Sequence, residues 1–131
     1  MKLYVIGDSI SIHYGPYLER GLRGVMAYDR KGGQAEASRN PDPPADANGG
    51  DSAMVLAYLR RLKDGGGPDA DTLLLNCGLH DIKRDPVSGA CQVPIDAYAR
   101  NLAAILDVAG EMGLDVVWVR TTPCDERVHN R

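Results

Sequence analysis

Short apolar runs alternate with segments of helical character along this chain. Four runs predict buried strands, at residues 3–6, 24–28, 72–76 and 115–120. A first helix is predicted at residues 15–22. A second runs from a cap at Asp51 or Ser52 to the DGGGPD stretch, and a third runs from Pro94 to a C-terminal cap at Gly113. The predicted order is therefore strand, helix, strand, loop, helix, strand, helix, strand.

This alternation predicts an α/β protein with a parallel sheet, right-handed crossovers and helices on both faces. In such folds ligands gather at the carboxyl ends of the strands. Three polar segments, GDSIS, CGLHD and TTPCDE, each follow a predicted strand. We therefore expect these three segments to share one crevice.

Length, composition and charge limit the classes of protein to which this chain can belong. The chain has 131 residues, 44% of them hydrophobic, with a net charge of −3, which suits one domain spanning residues 1–131. The sequence shows no basic stripe and no apolar stretch near the ~20 residues of a membrane span, so neither nucleic acid nor a membrane span is predicted. No signal peptide is visible, which favours the cytoplasm, although a trimmed secreted chain would look the same. Three cysteines without paired spacing are expected to be reduced thiols.

A Gly-Asp-Ser turn directly follows the first predicted strand. Ser9 stands where an apolar run gives way to a helical segment. A serine held in such a turn, with a free backbone N–H beside it, is one way in which proteins present a nucleophile. The remaining question is whether the chain also supplies an oxyanion pocket and a base.

Three blocks of sequence together resemble the SGNH hydrolases, a family of serine esterases and lipases with a GDSL signature. Residues 7–10 (GDSI) look like the nucleophile block, and residues 48–52 (NGGDS) look like the glycine block, with Gly50 as its glycine. Residues 78–81 (GLHD) look like the G-x-N-D block that follows a later strand. Their order and spacing agree with the family over nearly the whole chain.

The resemblance implies a fold and a set of site residues. It implies a flavodoxin-like three-layer α/β/α sandwich with strand order 2-1-3-4-5. It also implies that Ser9 attacks an ester carbonyl, and that the N–H groups of Ser9 and Gly50 and a side-chain donor of the third block hold the oxyanion. Asp8 is expected to tether the turn. The mechanism needs no metal or other cofactor.

The chain departs from the family pattern in two places. The asparagine of the third block is His80 here, which either faces the pocket as a donor or ties its loop to Asp81. The late D-x-x-H block that supplies the base is absent, and His13 and His129 are weak substitutes. We therefore expect the fifth strand and its helix to be missing, as in a fragment or a chain that pairs with another, and the isolated chain to be inactive.

The interpretation that follows is a serine hydrolase acting on carboxylic esters. Few large apolar residues are available to line a lipid channel, so small acyl esters such as acetylated sugars are the expected substrates. One alternative is a binding or interaction module that has kept the pocket and lost the base. Another is a flavodoxin-like phosphate or nucleotide binder, which the missing GxGxxG and Walker loops disfavour.

Overall fold

The computed structural model describes residues 1–37, 39 and 46–129. Strands and helices alternate through this part of the chain. The strands are β1 (Lys2–Ile6), β2 (Ala27–Arg30), β3 (Thr72–Leu75) and β4 (Asp115–Trp118). The helices are α1 (Ser9–Gly21), α2 (Gln34–Ala37), α3 (Ser52–Asp64), α4 (Ile95–Glu111) and α5 (Glu126–His129).

The strands form one parallel sheet in the order β2-β1-β3-β4. Leu3 of β1 pairs with Tyr28 of β2 on one side and with Thr72 of β3 on the other. β4 continues the sheet, with Leu73 opposite Val116. The predicted α/β class, the parallel sheet and the order of its first four strands are confirmed.

Two elements begin three or more residues away from their predicted start. α1 begins at Ser9 and not at residue 15, because the side chain of Asp8 caps the helix by accepting the N–H of Ile10. β2 covers Ala27–Arg30 and not residues 24–28, because Gly24 lies in a left-handed turn with φ +80° before the strand begins. The first difference matters for function, since it puts Ser9 in the first turn of a helix.

The main core lies between the sheet and the pair α3 and α4. Side chains of alternate strand positions on β1 and β3 meet apolar residues of both helices, and they are fully or nearly fully buried. The central members are Tyr4, Ile6, Leu73, Leu75, Val55, Leu59, Ile105 and Ala109. A smaller cluster joins Ile12 of α1 to Ala37 and Ala47. The core thus fixes the strand ends from which the candidate site is built.

β4 stands at one edge of the described sheet. Val117 and Trp118 of this strand are exposed. An additional strand at this edge, from the same chain or another, stays a prediction. Within the described residues, no helix combines the length and apolar character that crossing a bilayer requires.

Candidate active site

A cavity of about 320 Å³ opens at the carboxyl end of the sheet, where the turn after β1 meets two loops. Polar side chains dominate its wall. The polar lining residues are Asp8, Ser9, Asn48, His80 and Lys83, and the apolar ones are Ile10 and Leu79. Ser9 and His80, two of the residues that the sequence singled out, therefore face the same space.

The turn that carries Ser9 is fixed from both sides. Oδ1 of Asp8 accepts the N–H of Ile10 at 2.9 Å, and the carbonyl of Asp8 accepts the N–H of Ser11 at 3.0 Å. A Cβ atom on Gly7 would lie 2.6 Å from the Cβ of Ser11, so only glycine allows α1 to start this close to β1. Ser9 is half-buried at the positive end of α1.

Arg30, at the end of β2, braces this turn from beneath. Its guanidinium donates to the carbonyl of Ser11 at 3.0 Å, to Oγ of Ser11 at 3.1 Å and to the carbonyl of Ala47 at 3.3 Å. The side chain is only 2% exposed. Arg30 thereby joins α1 to the loop that carries Asn48. The sequence analysis did not single out Arg30.

Lys31 adds a second link to the same loop. Its ammonium group donates to the carbonyls of Asp46 and Asn48, and lies 5.1 Å from the ring centre of Tyr58. Burial lowers the pKa of Lys31, while the charge of Asp46 works in the opposite direction. Two adjacent cations therefore hold residues 46–48 against the sheet.

The glycine block, residues 48–52, lies beside the turn that carries Ser9, but the N–H of Gly50 is bonded within its own loop. The N–H of Gly49 donates to the carbonyl of Gly7 at 2.8 Å. The N–H of Gly50, where φ is +72°, donates to Oδ1 of Asn48 at 2.9 Å. Gly50 is not among the residues that line the cavity, whereas Asn48 is. Asn48 is thus a site residue that the sequence analysis missed, although its place in an Asn-Gly-Gly turn could have indicated it.

Asp81 locks the third block to the start of α3. Its buried carboxylate accepts the N–H of Ser52 at 3.0 and 3.1 Å and the hydroxyl of Ser52 at 2.5 Å. Asn101 of α4 donates to the same hydroxyl at 2.9 Å. Asp81 is therefore committed to Ser52, and it is the neighbouring His80 that reaches the cavity.

The loop after β3 separates two cavities. Leu79, His80 and Lys83 face the cavity of Ser9, whereas Gly78, Asp81 and Ile82 face a second cavity of about 300 Å³. Thr121, from the TTPCDE segment, lines the second cavity. The expectation that all three polar segments share one crevice therefore needs correction, since different residues of this loop line the two cavities and Thr121 lines the second one.

Cys77 lies behind the loop, fully buried. Burial raises the pKa of its thiol to about 12, with further upward contributions from Asp81, Asp8 and Asp51. Its carbonyl accepts the hydroxyl of Tyr98 at 3.0 Å, and burial also raises the pKa of Tyr98 to about 12. Cys77 is therefore a packed thiol with three carboxylates in its neighbourhood.

The buried thiol gives a first testable prediction. A thiol reacts as its thiolate, so a raised pKa keeps Cys77 protonated at neutral pH. We expect iodoacetamide to alkylate the exposed Cys124 at least about tenfold faster than Cys77 in the native protein. Peptide mass spectrometry over time measures both rates, and urea-unfolded protein, where the difference should vanish, is the control. Equal rates in the native state would contradict the prediction.

The other two histidines add no described side chain to the cavity of Ser9. His13 is exposed on α1 and does not line the cavity. The side chain of His129 lies outside the described residues. Within the described side chains, the structure brings one histidine, His80, to the cavity of Ser9.

Comparisons with known proteins support the fold. No protein-family model matches the chain, and no curated protein matches its sequence. Among solved structures, the psychrotrophic esterase EstA from Pseudoalteromonas sp., in a form inhibited by monoethylphosphonate, is similar with a TM-score of 0.57 and 15% identity. The match covers 89% of this chain and 57% of the esterase. The chain therefore shares the α/β fold of that protein and spans less than two thirds of its length.

Proposed function

We propose that this protein is a serine hydrolase that cleaves carboxylic esters through an acyl-Ser9 intermediate. The observation that carries the proposal is the position of Ser9. It is the first residue of a 13-residue helix at the carboxyl end of a central strand, and it faces a cavity with a histidine and an asparagine on its wall. The esterase with a similar fold adds support from outside the chain.

The chemistry requires donors for the developing oxyanion, each worth ~3 kcal/mol. The N–H of Ser9 is at the open end of α1, where helix N–H groups lack partners within the helix. His80, which also lines the cavity, carries a side-chain N–H of the kind that an oxyanion requires. The family motif implies that the N–H of Gly50 is also an oxyanion donor. That N–H would first have to give up its hydrogen bond to Asn48 before it could donate to the substrate.

The expected substrates are small acyl esters, such as acetylated sugars. A cavity of about 320 Å³ lies at the small end of the usual range for ligand sites, and five of its seven lining residues are polar. A short acyl group and a hydroxyl-rich alcohol fit such a wall better than a long lipid chain. The proposed mechanism uses protein groups alone.

Covalent trapping tests the proposal. We expect an alkyl fluorophosphonate to phosphonylate Ser9, and Ser9→Ala to abolish both labelling and hydrolysis of p-nitrophenyl acetate. Ser88→Ala is the matched control, because Ser88 is exposed on the loop after β3 and bonds to Asp85. Labelling elsewhere, or none on correctly folded protein, would favour the binding module over the enzyme.

A further inference from the structure

Lys83 places a positive charge on the wall of the cavity of Ser9, and the fold does not use that charge. The other lysines are committed to protein acceptors, since Lys2 and Lys63 pair with carboxylates and Lys31 donates to two carbonyls. Within the described part of the chain, the ammonium group of Lys83 has no hydrogen bond or ion pair. It is therefore available to a ligand in the cavity.

The backbone of Lys83 is nevertheless held in place. Its N–H donates to the carbonyl of His80 at 3.3 Å, and its carbonyl accepts the N–H of Gln92 at 2.7 Å. The side-chain amide of Gln92 in turn donates to Asp51, which caps α3, at 2.7 Å. A fixed backbone and an exposed side chain put the ammonium group at the opening of the cavity.

The acidic residues nearest to Lys83 in the sequence are occupied by other donors. Asp81, two positions before it, accepts the N–H and the hydroxyl of Ser52. Asp85, two positions after it, accepts the N–H of Val87 at 3.0 Å. Neither carboxylate forms an ion pair with Lys83, so neither neutralises the charge that faces the cavity.

Asp8 is the carboxylate among the described lining residues, and a buried cation offsets it. The side chain of Asp8 is 2% exposed, and its Oδ1 accepts the N–H of Ile10. Arg30, equally buried, donates to neutral oxygen atoms beneath the same turn. Burial raises the pKa of Tyr14, and the charges of Asp8 and Arg30 then act on that pKa in opposite directions. The accessible charge that remains on the wall is the exposed ammonium group.

We propose that Lys83 selects esters whose alcohol portion carries an anion, either a carboxylate or a phosphate. The inference rests on the proposed function, and it narrows the substrates from acylated sugars to acylated sugar acids or sugar phosphates. The ester carbonyl would lie beside Ser9, with the anion at the opening of the cavity near Lys83. Lys83 is thus a specificity-determining residue that takes no part in making or breaking bonds.

Three aryl acetates of similar size test this selection. 4-Acetoxybenzoate and 4-acetoxyphenyl phosphate carry an anion, and methyl 4-acetoxybenzoate is their neutral counterpart. We expect Lys83→Gln to lower kcat/KM for an anionic ester about three- to fivefold, the usual effect of an exposed ion pair. The value for the neutral ester should stay near that of the wild type. The anionic ester with the larger loss identifies carboxylate or phosphate as the preferred group.

Two further variants control for charge and position. Lys83→Arg keeps the positive charge and should keep the preference for the anionic ester. Lys63→Gln removes an exposed lysine that pairs with Glu111 and does not line the cavity of Ser9, so it should change none of the three rates. Circular dichroism verifies that all variants are folded.

Binding to Ser9→Ala separates this inference from the proposed function. Without the hydroxyl no acyl-enzyme forms, so an NMR titration gives the Kd of each intact ester. Adding Lys83→Gln to this variant should weaken binding of an anionic ester by the same about three- to fivefold. The difference should shrink in about 0.5 M salt, because salt screens an exposed charge.

The outcomes distinguish the two proposals. Equal effects of Lys83→Gln on the anionic and neutral esters, in binding and in hydrolysis, would overturn the selection by Lys83 even if Ser9 is labelled and hydrolysis occurs. Charge-dependent binding in a protein that is not labelled at Ser9 would support the selection and count against the hydrolase.

Discussion

Replacing Arg30 by alanine is expected to lower the free energy of unfolding by about 4 kcal/mol. The guanidinium is almost completely buried, and its loss leaves a cavity and removes three hydrogen bonds to Ser11 and Ala47. The carbonyl oxygens of Ser11 and Ala47 would remain buried without the hydrogen bonds that Arg30 donates. Because Arg30 joins α1 to the loop of Asn48, we also expect Ser9 labelling by a fluorophosphonate to slow.

Urea unfolding followed by circular dichroism measures the stability change, and mass spectrometry measures the labelling rate. Arg23→Ala is the matched control, because Arg23 is exposed in the turn after α1. Arg23→Ala should leave the free energy of unfolding and the rate of Ser9 labelling near their wild-type values. A stability loss for Arg30→Ala as small as that of the control would mean that Arg30 does not brace the turn.

Replacing Asp81 by alanine is expected to cost about 3 to 4 kcal/mol of stability. The substitution strips the N–H and hydroxyl of buried Ser52 of their shared acceptor at the start of α3. Asp81→Asn keeps one oxygen that can accept from Ser52, so its loss should be smaller, about 1 to 2 kcal/mol. Thermal and urea unfolding of the three proteins give the order wild type, Asn variant, Ala variant.

Asp85→Ala provides the comparison within the same loop. Its carboxylate accepts the N–H groups of Val87 and Ser88, but it is fully exposed, so water replaces the protein donors. The melting temperature of Asp85→Ala should stay close to that of the wild type. Under the proposed function, hydrolysis of p-nitrophenyl acetate should fall in Asp81→Ala, because the loop that carries His80 is released. An unchanged rate would argue against the anchoring role of Asp81.

Local sequence was sufficient for the order of elements along the chain and for the turn at Ser9. β1, β3 and β4 are mainly short apolar runs, and each main helix has a recognisable start or stop. The order of the four strands in the sheet was expected from the family resemblance, and the structure confirms it. The start of α1 was misplaced, although the cap at Asp8 is a local feature. That cap also sets the position of Ser9, which the Gly-Asp-Ser turn had already indicated.

The full set of residues around the cavity could not be predicted from local sequence. Asn48 lines the cavity and Arg30 braces the turn of Ser9 across separations of roughly 20 to 40 residues. Nothing in the sequence near Gly50 indicates that its amide is taken by Asn48. The commitment of Asp81 to Ser52, 29 positions away, likewise appears only after α3 packs beside the loop.

The sequence by itself determined which segments become strands and helices, because hydrophobic periodicity and caps act over a few neighbouring residues. It also determined that Ser9 and residues 78–81 follow the carboxyl ends of strands. Only the tertiary structure decided which polar atoms of those segments satisfy one another and which are left facing the cavity. That choice depends on burial, since an unpaired polar group inside the protein is costly and must find its partner wherever the packed chain supplies one.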